Sequence, residues 1–179
     1  MRLPRYLAIL RGVNVGGHNL VAMRDLRRVF SSLGLADVTT YLQSGNVLFS
    51  TSGSAPAEEA LEQAILQELG VRTPVLLRRG AELAQICTAN PFAGSAAVDL
   101  SQLYLAFLST EPEAGRLAEF SVPGGGERFM ARGREIYLYY PDGYGRTKLT
   151  NGYIERRLRV TATTRNWRVV QQLSRLLEG

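Results

Sequence analysis

Two short polar segments concentrate the groups that could recognise an anion or an amide. The first is Arg11-Gly12-Val13-Asn14-Val15-Gly16-Gly17-His18-Asn19, and the second is Gln43-Ser44-Gly45-Asn46. Gly12, Gly16 and Gly17 permit positive φ and close backbone approach. Successive N–H groups in such a loop can form an anion-binding concavity, to which the next helix adds its positive end. Arg11 offers a planar fork of donors. Asn14, Asn19, Gln43, Ser44 and Asn46 offer both donors and acceptors. The candidate contacts here are Arg11, Asn14, Gly16, Gly17, Asn19, Gln43, Ser44 and Asn46. Their spacing matches neither the dinucleotide fingerprint nor the phosphate loop ending in Gly-Lys-Ser/Thr. The plainer alternative is turn work, with asparagine side chains bonding nearby backbone and Arg11 pairing with Asp25 or Asp37.

A second set lies near the C-terminal end. Gly143 to Asn151 is a basic loop with Arg146 and Lys148, running into a helix start that Thr150 can cap. Thr161 to Trp167 reads as another helix start, capped by Thr164 and followed by Arg165 and Asn166. Both present N–H donors beside cations, which suits phosphate. An arginine in a first helical turn opposes the helix dipole by ~0.3–1 kcal/mol, which singles out Arg165. Tyr137, Tyr139, Tyr140 and Tyr144 could stack on bases, although tyrosine is also a good strand former. Trp167 begins an apolar helical stripe and reads as a core anchor.

The materials for common catalytic sets are sparse. The chain has one histidine, His18, and one cysteine, Cys87. Cys87 sits in an apolar helix and reads as a structural thiol; His18 reads as a solvated turn residue. No His/Cys metal cluster can be assembled, no nucleophile-elbow sequence accompanies His18, and no cofactor is indicated. An enzyme relying on Arg, Lys148, Asn and Thr remains a formal alternative.

The elements that must position these residues follow from periodicity. Tyr6 to Leu10 is apolar at every position, so both faces of this strand should be covered. A helix carries Leu26, Val29, Phe30 and Leu33, closed by Gly34. Val38–Leu42 and Val47–Ser50 read as strands joined by the Gln43–Asn46 turn. Ser54 can cap a helix with Leu61, Ile65 and Leu69; Pro74–Leu77 reads as a strand and Ala81–Ala89 as a helix. This order, βαββαβ, is the ferredoxin-like split βαβ arrangement. In it the first and second strands run parallel with the third between them, so the Arg11–Asn19 loop should meet the Gln43–Asn46 turn. Asn90 to Ala97 reads as a connector. A strand at Leu103–Leu108, a short helix near Glu111–Glu119 and a hairpin turning at Gly133-Arg134 follow, and two helices close the chain. The expected fold is therefore α+β: a ferredoxin-like lobe over residues 1–90 and a second, smaller βαββαα lobe over residues 91–179. An RNA-recognition module shares the first layout but needs exposed aromatics on its first and third strands. Tyr6 and Phe49 alone occupy those strands, and the first strand looks covered.

Hydrophobic residues make up 45% and charged residues 21%, as in ordinary globular domains. No apolar run approaches the ~18 residues of a spanning helix. Met1 to Arg5 leads into a strand without a signal-peptide core. With a single cysteine, these features point to a cytoplasmic protein. The net charge of +5 is uneven: residues 1–120 sum to −1 and residues 121–179 to +6. Such a basic segment can attract nucleic acid, phosphorylated ligands or an acidic protein. Lys148 is the sole lysine, so a coding preference for arginine offers a plain alternative.

Tyr6 to Asn19, Met23 with Leu26, and Thr40 to Phe49 resemble the bacterial domain-of-unknown-function 1697 family (DUF1697). Lys148 to Asn151, Ile154-Glu155, and Ala162 to Trp167 with Val169 are similar to that family's C-terminal signature. Arg168 and the Arg72–Arg79 stretch depart from the pattern. The resemblance implies a two-lobe α+β fold with ferredoxin-like parts and no established activity, substrate or catalytic residue.

Three functional classes follow from the residues. The leading expectation is binding of a phosphate-bearing partner, nucleic acid or a nucleotide-like ligand. The second is an enzyme acting on a phosphorylated small molecule. The third is a protein-interaction module, which predicts an exposed apolar patch.

Overall fold

The computed structural model describes residues 3–94 and 98–178. Met1-Arg2 and the Ser95–Ala97 part of the connector lie outside the described residues. The fold is α+β. Its elements are β1 (Arg5–Leu10), α1 (Met23–Ser32), β2 (Ala36–Thr40), β3 (Asn46–Ser50), α2 (Glu58–Leu69), β4 (Val75–Arg79) and α3 (Gly80–Thr88), then β5 (Leu103–Leu108), α4 (Ala114–Ala118), β6 (Arg128–Arg132), β7 (Glu135–Tyr139), α5 (Asn151–Leu158), β8 (Ala162–Asn166) and α6 (Trp167–Glu178). Among the described residues no helix is long and apolar enough to cross a membrane.

The strands form two four-stranded antiparallel sheets, ordered β2-β3-β1-β4 and β6-β7-β5-β8. Each is a βαββαβ unit whose fourth strand runs directly into a helix. The repetition extends to single hydrogen bonds. Leu10 N–H donates to Gly45 O (2.8 Å) and Arg11 N–H to Pro74 O (2.9 Å); Leu108 N–H donates to Arg134 O (2.9 Å) and Ser109 N–H to Thr161 O (2.9 Å). The register Leu10↔Val75 and Leu7↔Arg78 matches Leu108↔Ala162 and Leu105↔Arg165. The edge strands β4 and β8 are guarded alike. Glu62 Oε1 accepts from Val75 N–H (2.9 Å) and Glu155 Oε1 from Ala162 N–H (3.0 Å), so a helix carboxylate occupies a donor that could template another strand.

By compactness the chain divides into a first unit, residues 1–84 with 173–179, and a second, residues 85–172. In the first, Tyr6, Ala8, Leu10, Val47 and Phe49 pack with Leu26, Val29 and Phe30 of α1 and Leu61 and Ile65 of α2. Leu7 and Ile9 are also fully buried, so β1 is covered on both faces as its unbroken apolar run predicts. In the second, Ala106, Leu108, Ile136, Leu138 and Tyr140 pack with Ile154 and Leu158 of α5.

Three expectations need correction. The second lobe is not βαββαα, because Ala162–Asn166 is a strand. Thr163 and Thr164, β-branched residues that fit a pleated surface, pair across to Phe107 and Ala106. Thr164 is therefore no helix cap; Asn166 Oδ1 takes that role by accepting from Arg168 N–H (2.9 Å). Ser54 does not cap α2, whose N-cap is Ala57 with no side-chain bond. Thr150 does cap α5, accepting from Tyr153 N–H (3.3 Å).

Candidate functional site

In the first unit the two polar segments meet, as the strand order requires. Val15-Gly16-Gly17-His18 is a tight turn closed by His18 N–H to Val15 O (3.0 Å), with Asn14 N–H to Asn19 O (3.1 Å) outside it. Gly16 (φ 58°) and Gly17 (φ 79°) supply the two positive φ values that a two-residue hairpin turn demands. Asn14 anchors this miniature hairpin. Its Nδ2 donates to Val21 O (3.0 Å) and Gln43 O (2.7 Å), and its Oδ1 accepts from Val21 N–H (2.8 Å). Asn19 Nδ2 donates to Gly12 O (3.2 Å). Asn46 Nδ2 donates to Tyr41 O (2.9 Å) and Ser44 Oγ (3.0 Å). Gly45 sits so close that a Cβ there would lie 2.5 Å from a Val13 methyl carbon.

The asparagine amides thus do structural work, and a different property emerges at the hairpin. Among the described residues the three most exposed large hydrophobic side chains are Leu20 (71%), Val15 (63%) and Leu42 (51%), within or directly beside these two segments. His18, Gly16 and Gly17 are exposed beside them, while Arg11 is half-buried.

The second unit gathers the other candidates. Tyr144 stacks on Tyr104 with ring centroids 5.4 Å apart and packs edgewise on Tyr140 at 5.7 Å. Tyr104 pairs across the sheet with Asn166. Thr164 Oγ1 donates to Asn151 Oδ1 (2.6 Å), tying β8 to the helix start that follows the basic loop. Arg146 and Lys148 are exposed on that loop. Tyr140 is buried, and its hydroxyl donates to Leu149 O (2.8 Å); burial holds its ionisation far above the ordinary tyrosine range. Tyr137 is likewise buried and bonded, to Ile86 O (3.0 Å). Of the four tyrosines read from the sequence, Tyr144 has the ring placed for stacking. Tyr104, the half-buried residue of β5, carries no signal in the sequence that sets it apart from an ordinary strand aromatic.

Arg165 is not in a helical turn. It lies on β8, where Nη1 donates to Thr163 Oγ1 (2.8 Å) and Thr164 O (3.0 Å). Burial lowers its pKa to about 10, against a smaller raising effect of Tyr144. Arg78 occupies the same repeat position in the first unit, is fully buried, and donates to Leu77 O (2.8 Å). A buried arginine on the fourth strand is thus a feature shared by both units. Cys87 is half-buried. Among the described residues no three His, Cys, Asp or Glu side chains are grouped to hold a metal ion.

A family model described as "Protein of unknown function (DUF1697)" matches residues 3–137. The chain belongs to this family. The match takes in both polar segments of the first unit and stops short of Tyr144. No curated protein matches this DUF1697 chain. Among solved structures it is similar to the conserved bacterial protein SP0830 from Streptococcus pneumoniae. The identity is 23%, the TM-score is 0.71, and the alignment covers 98% of this chain and 99% of that one. At that identity the likeness shows a shared fold.

Proposed function

We propose that this DUF1697 member is a cytoplasmic binding protein for a phosphate-bearing partner, nucleic acid or nucleotide, held on its second unit. The carrying observation is the Tyr104–Tyr144 stack, with Arg146 and Lys148 exposed on the loop that presents Tyr144. An aromatic face accepts a base of any sequence, and nearby cations hold the phosphates. Asn166 adds polar contact at the edge of the stack, and Arg165 adds positive potential from beneath. Fluorescence anisotropy with a single-stranded oligonucleotide tests this. Affinity should fall steeply as salt rises. Tyr144→Ala should cost ~1–3 kcal/mol, and Lys148→Gln should reduce the salt slope by about one. Absent binding to DNA, RNA and ATP, or binding indifferent to salt, contradicts the proposal.

A second reading rests on the first unit. The exposed Val15, Leu20 and Leu42 at and around the pinned hairpin favour docking of another protein. It predicts that Leu20→Ser abolishes a stoichiometric complex seen by native mass spectrometry while leaving oligonucleotide binding unchanged.

A further inference from the structure

The first unit contains a cleft of about 650 Å³ that none of the segments above touches. Its volume falls in the range of ligand pockets, about 300–1,000 Å³. The first residue of β1, Arg5, and the last of β4, Arg79, line it together with Ser54 and the opening turn of α3, Gly80-Ala81. Tyr6, Ala84 and Leu177 supply apolar wall, and Glu178 is the one carboxylate of the lining. The two guanidiniums therefore outnumber the acid.

Neither cation is used up by the fold. Arg5 Nε is buried and has no hydrogen-bond partner, a donor left unsatisfied where water cannot reach it. Arg79 is exposed, with its guanidinium 6.0 Å from the Tyr6 ring centroid. Among the described residues neither has a carboxylate within ion-pairing distance, and the Ser54 hydroxyl bonds to no other group. The second unit shows what the same place becomes when filled. By register Arg5, Arg79 and Gly80 correspond to Leu103, Asn166 and Trp167. The position next to the strand end is glycine where the cleft lies and a fully buried tryptophan where the joint is solid.

We propose that this cleft binds a small organic anion, a phosphate monoester or carboxylate carried on a compact apolar body. The arginine pair, both lining the cleft, takes the head group through charge-assisted bonds. The Tyr6–Ala84–Leu177 wall takes the body, and the Glu178 carboxylate, which repels anions, is outweighed by the two guanidiniums.

An amide-shift titration of the full chain with phenyl phosphate, benzoate and neutral benzyl alcohol tests the proposal. One or both anions should shift the amides of Ser54, Gly80 and Ala81 saturably, and benzyl alcohol should not. Whichever anion binds more tightly names the head group. Arg79→Gln, at an exposed position, should weaken binding by about tenfold, as loss of one charge-assisted pair implies. Ala81→Phe, also at an exposed position, should abolish binding by filling the cleft while keeping native amide dispersion. Tyr144→Ala should leave it unchanged, so this site and the tyrosine site stand or fall separately. The proposal is overturned if neither anion shifts those amides, if benzyl alcohol binds as well, or if binding survives Ala81→Phe.

Discussion

The two units share a strand order, a register and several individual hydrogen bonds, yet they differ where strands end. After β1 the first unit raises a glycine hairpin pinned by Asn14 to the β2–β3 turn. After β5 the second continues through Ser109 to Pro112 toward α4, with no such hairpin. Where β4 meets α3 there is glycine beside a cleft; where β8 meets α6 there is a buried tryptophan packed on Tyr137 at 6.2 Å. The topology decides which loops become neighbours. The side chains at the junctions decide whether a neighbourhood becomes a cavity, a plug or a protrusion.

Substitutions at equivalent places sharpen this contrast. The largest effect should come from Trp167→Ala, which empties a packed joint and should cost ~3–5 kcal/mol in urea unfolding. The matching Gly80→Ala places a Cβ 3.3 Å from Leu177 Cβ and should stay within ~1 kcal/mol. Similar losses at both would break the plug-versus-cleft distinction. Next come the turn glycines. Gly45 has φ 76° and no room for a Cβ, whereas Gly133 has φ 57° and open space. Gly45→Ala should cost about 2–4 kcal/mol through strain and overpacking, and Gly133→Ala about 1–2 kcal/mol through backbone alone. Asn14→Ala removes three hydrogen bonds and should cost ~1–3 kcal/mol. Hydrogen exchange should then quicken at Val21 while strand amides of the second unit are unaffected.

The smallest effect is a pH dependence confined to the second unit. Tyr137 is pushed up to about 12 from 10.0, by burial first and Glu135 second. The folded state thus keeps a proton that the unfolded chain releases above pH 10. That contribution is intact below pH 10 and lost as pH rises through 12. Arg165, depressed to about 10 from 12.5, acts oppositely: its burial penalty is full below pH 10 and relieved above it. Tyr137→Phe should therefore flatten the alkaline loss of stability between pH 10 and 12, read from urea midpoints across that range. An unchanged slope would remove the assignment.

Legibility in the sequence followed the range of the interaction. The first unit was readable because βαββαβ periodicity is local, and its strand order then forces Arg11–Asn19 against Gln43–Asn46. Periodicity could not show that Asn14 and Asn46 spend their amides on backbone carbonyls, since those partners are chosen by loop closure. β8 is hidden in the sequence because Thr161 to Trp167 carries helix-cap chemistry, and only pairing with β5 makes its threonines a strand. The Tyr104–Tyr144 stack joins residues forty positions apart, and the Arg5–Arg79 cleft unites a strand start with a strand end. Neither leaves a pattern in any short window.

The central claim is that the repeated fold carries different binding chemistry on its two units. Mapping amide shifts for a single-stranded oligonucleotide and for phenyl phosphate on the same protein tests it most directly. The oligonucleotide should move Tyr104, Tyr144 to Lys148 and Asn166; phenyl phosphate should move Ser54, Gly80 and Ala81. Both ligands perturbing one common set of residues, or the oligonucleotide leaving Tyr144 to Lys148 unmoved, would contradict it.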